Sequence, residues 1–161
     1  MMHKRFDFIM HWLWAIVWSL LALSGFSMMG AKYGWLLNYD YALAIDIHRT
    51  MAAVFVLLTF LSIAFEIVRT VRKKTQKLPW FIFGRSGYQL FTFITALILI
   101  ITGAIVWACS ELDIKIAAIA LMFHEYISYL TLASVIWHIY KKSHALILGR
   151  AKSMKAEQGA G

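Results

Sequence analysis

Polar residues are rare across four long stretches of the chain and gather between them. The runs Phe8 to Met29, Ala44 to Val68, Tyr88 to Ala108 and Ile116 to Tyr140 are dominated by Leu, Ile, Val, Phe, Ala and Trp. Each has the length, on the order of 20 residues, that an α-helix needs to cross the hydrocarbon of a bilayer. The pattern predicts an all-α membrane protein with four transmembrane helices. The first run exceeds the roughly 7–15 apolar residues of a signal peptide and carries His11 together with Trp12, Trp14 and Trp18, so it is read as a mature helix. No long linker, low-complexity stretch or sequence repeat interrupts the pattern, and one domain over residues 1–161 is expected. The polar tail from Lys152 to Gly161 is expected to fray.

Composition agrees with this reading. With 61% hydrophobic and 16% aromatic residues, the chain is too apolar for a domain whose surface faces water. Trp35, Tyr39, Trp80 and Tyr126 lie near helix ends, where an interfacial aromatic belt is expected. The single cysteine, Cys109, excludes an internal disulfide and any cluster held by about four thiolates of this chain.

Charge gives the expected orientation. Lys4 and Arg5 precede the first run; Arg69, Arg72, Lys73, Lys74, Lys77 and Arg85 fill the second connection; Lys141, Lys142, Arg150, Lys152 and Lys155 follow the fourth run. Only Lys32, Arg49 and Lys115 fall on the opposite side. The positive-inside rule therefore puts both termini in the cytoplasm. The net charge of +8 is then mainly a topology signal that also favours anionic lipid, and nucleic acid is not an expected partner.

The candidate chemistry lies in four histidines. His124 and His138 are fourteen residues apart on the fourth run, which returns the side chain to nearly the same helix face about 21 Å further along. His11 and His48 each stand near the start of an earlier run. With the expected topology, His11 and His138 share a depth near the cytoplasmic face, and His48 and His124 share one near the outer face. Gly25 lies fourteen residues after His11 and Ser62 fourteen after His48, so each of these helices offers a small residue where the other cofactor would pass. Ser128, Thr131 and Ser134 continue the small face between the two histidines of the fourth run. Taken singly, an intramembrane histidine or a small residue can serve ordinary helix packing.

Two imidazoles at one depth suit the two axial positions of a haem iron, and such a site passes electrons without binding oxygen. Zinc or copper would call for three or four converging ligands. No Cys-x-x-Cys-His motif is present, so the haem would be held noncovalently. Arg49 and Lys141, at opposite membrane edges, could pair with haem propionates. Snorkelling to water is the alternative for Lys141.

The residues His11-Trp12, Ser24-Gly25, Ile47-His48-Arg49, Thr102-Gly103, Phe123-His124-Glu125 and Ile136-Trp137-His138-Ile139-Tyr140 resemble the dihaem cytochrome b subunits of membrane-bound formate dehydrogenases, nickel–iron hydrogenases and thiosulfate reductases. The resemblance runs from about Phe6 to Arg150. It implies a four-helix bundle enclosing two b haems, ligated by His11 with His138 and by His48 with His124. It further implies an extracytoplasmic partner, an iron–sulfur or multihaem cytochrome subunit, and menaquinone or ubiquinone as the second substrate. Ser86, Gly87 and Gln89 are similar to the family's quinone pocket, although relatives often carry Asn where Ser86 stands. Gln89 lies fourteen residues before Gly103 and shares its helix face. The expected location is the cell (inner) membrane of a bacterium or archaeon. A histidine-based metal-ion or proton transporter and a haem-free membrane anchor remain alternatives.

Overall fold

The computed structural model describes residues 2–73 and 87–158, with side chains described for residues 8–144 of these stretches except positions 66, 69, 70, 72, 73 and 89. Four α-helices follow in order: α1 (Met2–Ser27), α2 (Tyr41–Lys73), α3 (Gly87–Cys109) and α4 (Ile114–Gln158). Each contains a stretch long and apolar enough to cross a membrane, at Phe8–Ser27, Tyr41–Phe65, Leu90–Cys109 and Ile114–His144. The four expected helices are all present. The helices extend beyond the expected apolar runs: α1 begins at Met2 and not near Phe8, and α2 runs from Tyr41 to Lys73 and not from Ala44 to Val68. Helix α4 runs on to Gln158 where the polar tail was expected to fray, because Lys, Ala, Leu and Met favour helix and nothing stronger than Gly149 interrupts them. His144 consequently lies on α4, its ring 5.7 Å from that of Tyr140.

Local chemistry sets the helix ends. Gly30 adopts a positive φ of 59°, which ends the turn after α1 at little steric cost. A short 3₁₀ turn at Gly34–Leu37 follows, and Asn38 and Tyr39 also take left-handed backbone angles. Asp40 caps α2 by accepting the Leu43 N–H at 2.9 Å. Asp113 caps α4 by accepting the N–H groups of Lys115 and Ile116 at 2.9 and 3.3 Å. A carboxylate in this position satisfies N–H groups that have no partner within the helix.

The chain divides into two compact units, Met1–Ile101 and Thr102–Gly161, with the boundary inside α3. The first unit packs Val17 of α1, Phe55 of α2 and Ala96 of α3 together, with Trp14, Trp18, Met51 and Ile100 against them. Trp14 meets Phe55 edge to face, with ring centroids 4.6 Å apart. Within the spans, buried hydroxyls return to their own helices: Thr59 donates to the Phe55 carbonyl at 2.8 Å, and Thr131 to the Ile127 carbonyl at 2.7 Å. Such bonds let a hydroxyl lie within an apolar medium without an unsatisfied proton. Only 11–17% of the most apolar stretch of each span is buried by protein, which leaves most of its side chains available to lipid.

This packing generates a contrast between two phenylalanines one and a half turns apart. Phe55 is 5% exposed and Phe60 is 67% exposed. Phe55→Ala is expected to lower the thermal midpoint of helix circular dichroism in detergent. Its cost should fall below the about 3–5 kcal/mol of water-soluble cores, since lipid supplies no water-transfer contribution. Phe60→Ala is expected to leave that midpoint within error of the parent.

Candidate functional site

In the first unit the ring of His48, on the second turn of α2, lies against α1. Its Nδ1 is 3.2 Å from the Leu21 carbonyl oxygen and 3.2 Å from Ser24 Oγ. A carbonyl carries no proton, so Nδ1 must be the donor in that bond. The Ser24 hydroxyl directs its own proton to the Leu20 carbonyl at 2.7 Å and so accepts from His48. Both neighbours therefore select the tautomer with hydrogen on Nδ1 and the lone pair on Nε2, the atom an iron would take. Gly25 makes the close approach possible: a Cβ there would come 3.1 Å from His48 Cε1 and 3.3 Å from Nδ1.

The second unit repeats the arrangement. His124, on the third turn of α4, has Nδ1 2.9 Å from Thr102 Oγ1. A Cβ on the next residue, Gly103, would come 3.3 Å from His124 Cε1. In each unit a hydroxyl residue and the glycine after it, near the end of one helix, receive a histidine near the start of the next. Ser128 donates to the His124 carbonyl at 2.7 Å, which turns its hydroxyl back onto α4.

At the far end of the first unit, His11 is exposed and lies one turn before Trp14. Trp14 Nε1 donates to Ser62 Oγ at 3.3 Å, so Ser62 lies buried beneath the indole near the His11 level. Gly25 stands at the His48 level instead. The fourteen-residue spacings of α1 and α2 thus run in opposite directions between two shared levels. In the second unit His138 is half-buried, and Lys141 places its Nζ 5.5 Å from the centroid of the Trp137 ring. That cation–π geometry is open to water, since Trp137 and Lys141 are both exposed. Arg49 is also exposed. Ser86 and Trp80 lie outside the described residues; Gly87 and Gln89 occupy the first turn of α3, and the Gln89 side chain is not described.

The sequence marked Ser24-Gly25 and Thr102-Gly103 as matching residues but assigned no role to Ser24, Thr102 or the Leu21 carbonyl. The repeated hydroxyl-glycine pair was the available signal. Ser27 was also missed: it is 5% exposed, and its Oγ has no hydrogen-bond partner among the described residues. Among the described residues no three His, Cys, Asp or Glu side chains gather as an ion site.

Four helices able to span a membrane, with single imidazoles seated on neighbouring helices through Nδ1, define the chain as a membrane protein equipped for b-type haem. The donor set fits that group, because an imidazole held through Nδ1 offers Nε2 to iron and no thiol is needed for attachment. The match to known families is to prokaryotic cytochrome b561, over residues 3–154, and the chain belongs to that family. It is thus a multi-pass b-type cytochrome of electron transfer. No curated protein and no solved structure matches it.

The glycine contacts yield a direct test. Gly25→Val and Gly103→Val would drive branched side chains into the His48 and His124 rings, and each is expected to lower the haem-to-protein ratio measured by pyridine haemochrome. Gly25→Ala is expected to retain more haem than Gly25→Val, because a ring shift of a few tenths of an ångström accommodates one methyl group.

Proposed function

We propose that this cytochrome is a dihaem membrane subunit, a single domain over residues 1–161. It would carry electrons between an extracytoplasmic iron–sulfur or multihaem cytochrome subunit and the menaquinone or ubiquinone pool. The observation that carries the reading is the matched seating of His48 and His124, each with Nδ1 on a hydroxyl and Cε1 over a glycine. A ring so held loses little further freedom when Nε2 binds a metal, as a dedicated ligand requires.

The pairing rests on depth in the sequence. His48 and His124 follow the two connections expected outside the cell, the first and the third, and would together hold the outer haem. His11 and His138 lie near the expected cytoplasmic ends of their helices and would hold the inner haem. When bound, a haem held by two histidines would supply a one-electron couple for electron transfer. Gly25 and Gly103, against the His48 and His124 rings, and Ser62, beneath the Trp14 indole, would be the small residues beside the macrocycles, while Arg49 and Lys141 would offer positive charge to the propionates at opposite edges. The excess of Lys and Arg beside the N-terminus, the second connection and the C-terminus supports cytoplasmic termini in a bacterial or archaeal membrane.

The quinone pocket is assigned to Ser86, Gly87 and Gln89 at the cytoplasmic start of α3. Gln89 would supply the amide that hydrogen-bonds a quinone carbonyl, with protons drawn from cytoplasmic water. Electrons entering from outside and used at that face would separate charge, worth about 2.3 kcal/mol per charge per 100 mV.

Two experiments test this reading. Acid–acetone should extract two haems per chain. His48→Ala and His124→Ala should each erase the same haem spectrum, and His11→Ala and His138→Ala the other; a common loss in His11→Ala and His48→Ala would refute the pairing. For the quinone site, Gln89→Leu should leave both haem spectra intact and slow stopped-flow reoxidation of the reduced protein by a soluble quinone analogue. An unchanged rate would remove Gln89 from the pocket.

A further inference from the structure

We infer that Ser24 and Thr102 are positioning residues that orient the imidazoles of His48 and His124 and set the electron affinity of the haem they serve. The inference rests on the proposed role of these histidines as axial ligands. Two units with different sequences around the site arrive at one geometry. In each, a hydroxyl precedes a glycine by one residue, Nδ1 of the following helix's histidine meets the hydroxyl, and Cε1 lies over the glycine. The glycine alone would accommodate the ring, so packing does not account for the hydroxyl.

The hydroxyl adds direction. An imidazole lying on a bare glycine could rotate about its χ2 bond, whereas bonds at Nδ1, to the hydroxyl in both seats and also to the Leu21 carbonyl in the first, fix the ring plane and with it the bearing of the Nε2 lone pair. The proton bookkeeping is closed at Ser24: its hydrogen goes to the Leu20 carbonyl at 2.7 Å, and its oxygen accepts from His48 Nδ1 at 3.2 Å, beside the Leu21 carbonyl at 3.2 Å. Thr102 Oγ1 stands 2.9 Å from His124 Nδ1, within the ordinary range for a hydrogen bond, and a His124 that binds iron through Nε2 carries its proton on Nδ1 and donates to that hydroxyl. Donation from Nδ1–H raises electron density at Nε2 and makes the ring a more basic ligand. A more basic ligand favours the ferric state, so losing an acceptor at Nδ1 raises the reduction potential. A fixed ring plane also sets how the imidazole would meet an iron it holds, which electron paramagnetic resonance reads from the ferric g-values.

The test uses the full chain loaded with haem. Ser24→Ala and Thr102→Val should retain the parent haem content. Each should raise the midpoint potential of the haem that its own histidine would hold in a spectroelectrochemical titration and move the highest ferric g-value of that haem. Ser24→Thr and Thr102→Ser should return both readings to those of the parent. Unchanged potential and g-value in both hydroxyl-free variants would overturn the inference, while haem loss in His48→Ala would leave the ligand assignment standing. Retention of both haems in His48→Ala and His124→Ala would instead overturn the ligand assignment itself. Should Ser24→Ala lose its haem, Ser24→Thr decides: parent potential and haem content support positioning by the hydroxyl, and renewed loss of haem shows a requirement for side-chain volume and overturns it.

Discussion

A polar atom carried into hydrocarbon must find its partner within the protein, and this constraint governs the spans of the molecule. Backbone groups meet it by forming helix. The hydroxyls of Thr59 and Thr131 meet it on their own helices, whereas the imidazoles of His48 and His124 meet it on the helix before. That last solution has a structural effect beyond satisfying one nitrogen. A bond from α2 to the Leu21 carbonyl fixes how far α2 slides along α1, and the Trp14 bond to Ser62 fixes the same register at the other end. The ring made to hydrogen-bond is the same ring that the proposed function offers to iron.

The two seats also show how unrelated helices reach one solution. Each needs a hydroxyl to anchor Nδ1 and a residue without a side chain beside it, because even one methyl group would approach Cε1 to 3.1 Å in one seat and 3.3 Å in the other. Ser and Thr serve equally as anchors, and only glycine serves as neighbour without displacing the ring. The apolar surroundings strengthen the arrangement, since water does not compete there for either partner.

Function follows from placing redox centres at separate depths in a protein largely bounded by lipid. The fourteen-residue spacing on α4 corresponds to about 21 Å along the helix. In the proposed function, haems held at these two depths would give electrons a route between the membrane faces. Aromatic and cationic residues at the far end of that spacing, Trp137, Tyr140 and Lys141, suit the boundary between hydrocarbon and water.

The sequence alone determined the class of fold, because bilayer thickness imposes a length on each apolar run, and it marked four candidate histidines through the spacing that helix geometry imposes on residues sharing a face. The end of α4 escaped that reasoning: apolarity reports where a helix meets lipid, whereas helix propensity carries it on to Gln158. Tertiary structure decided which atoms surround each ring. A backbone carbonyl such as that of Leu21 has no signature in sequence, and the roles of Ser24 and Thr102 depend on the rotation and register of one helix against another. Periodicity fixes neither quantity, since it specifies only which residues share a face and not the neighbour that face meets.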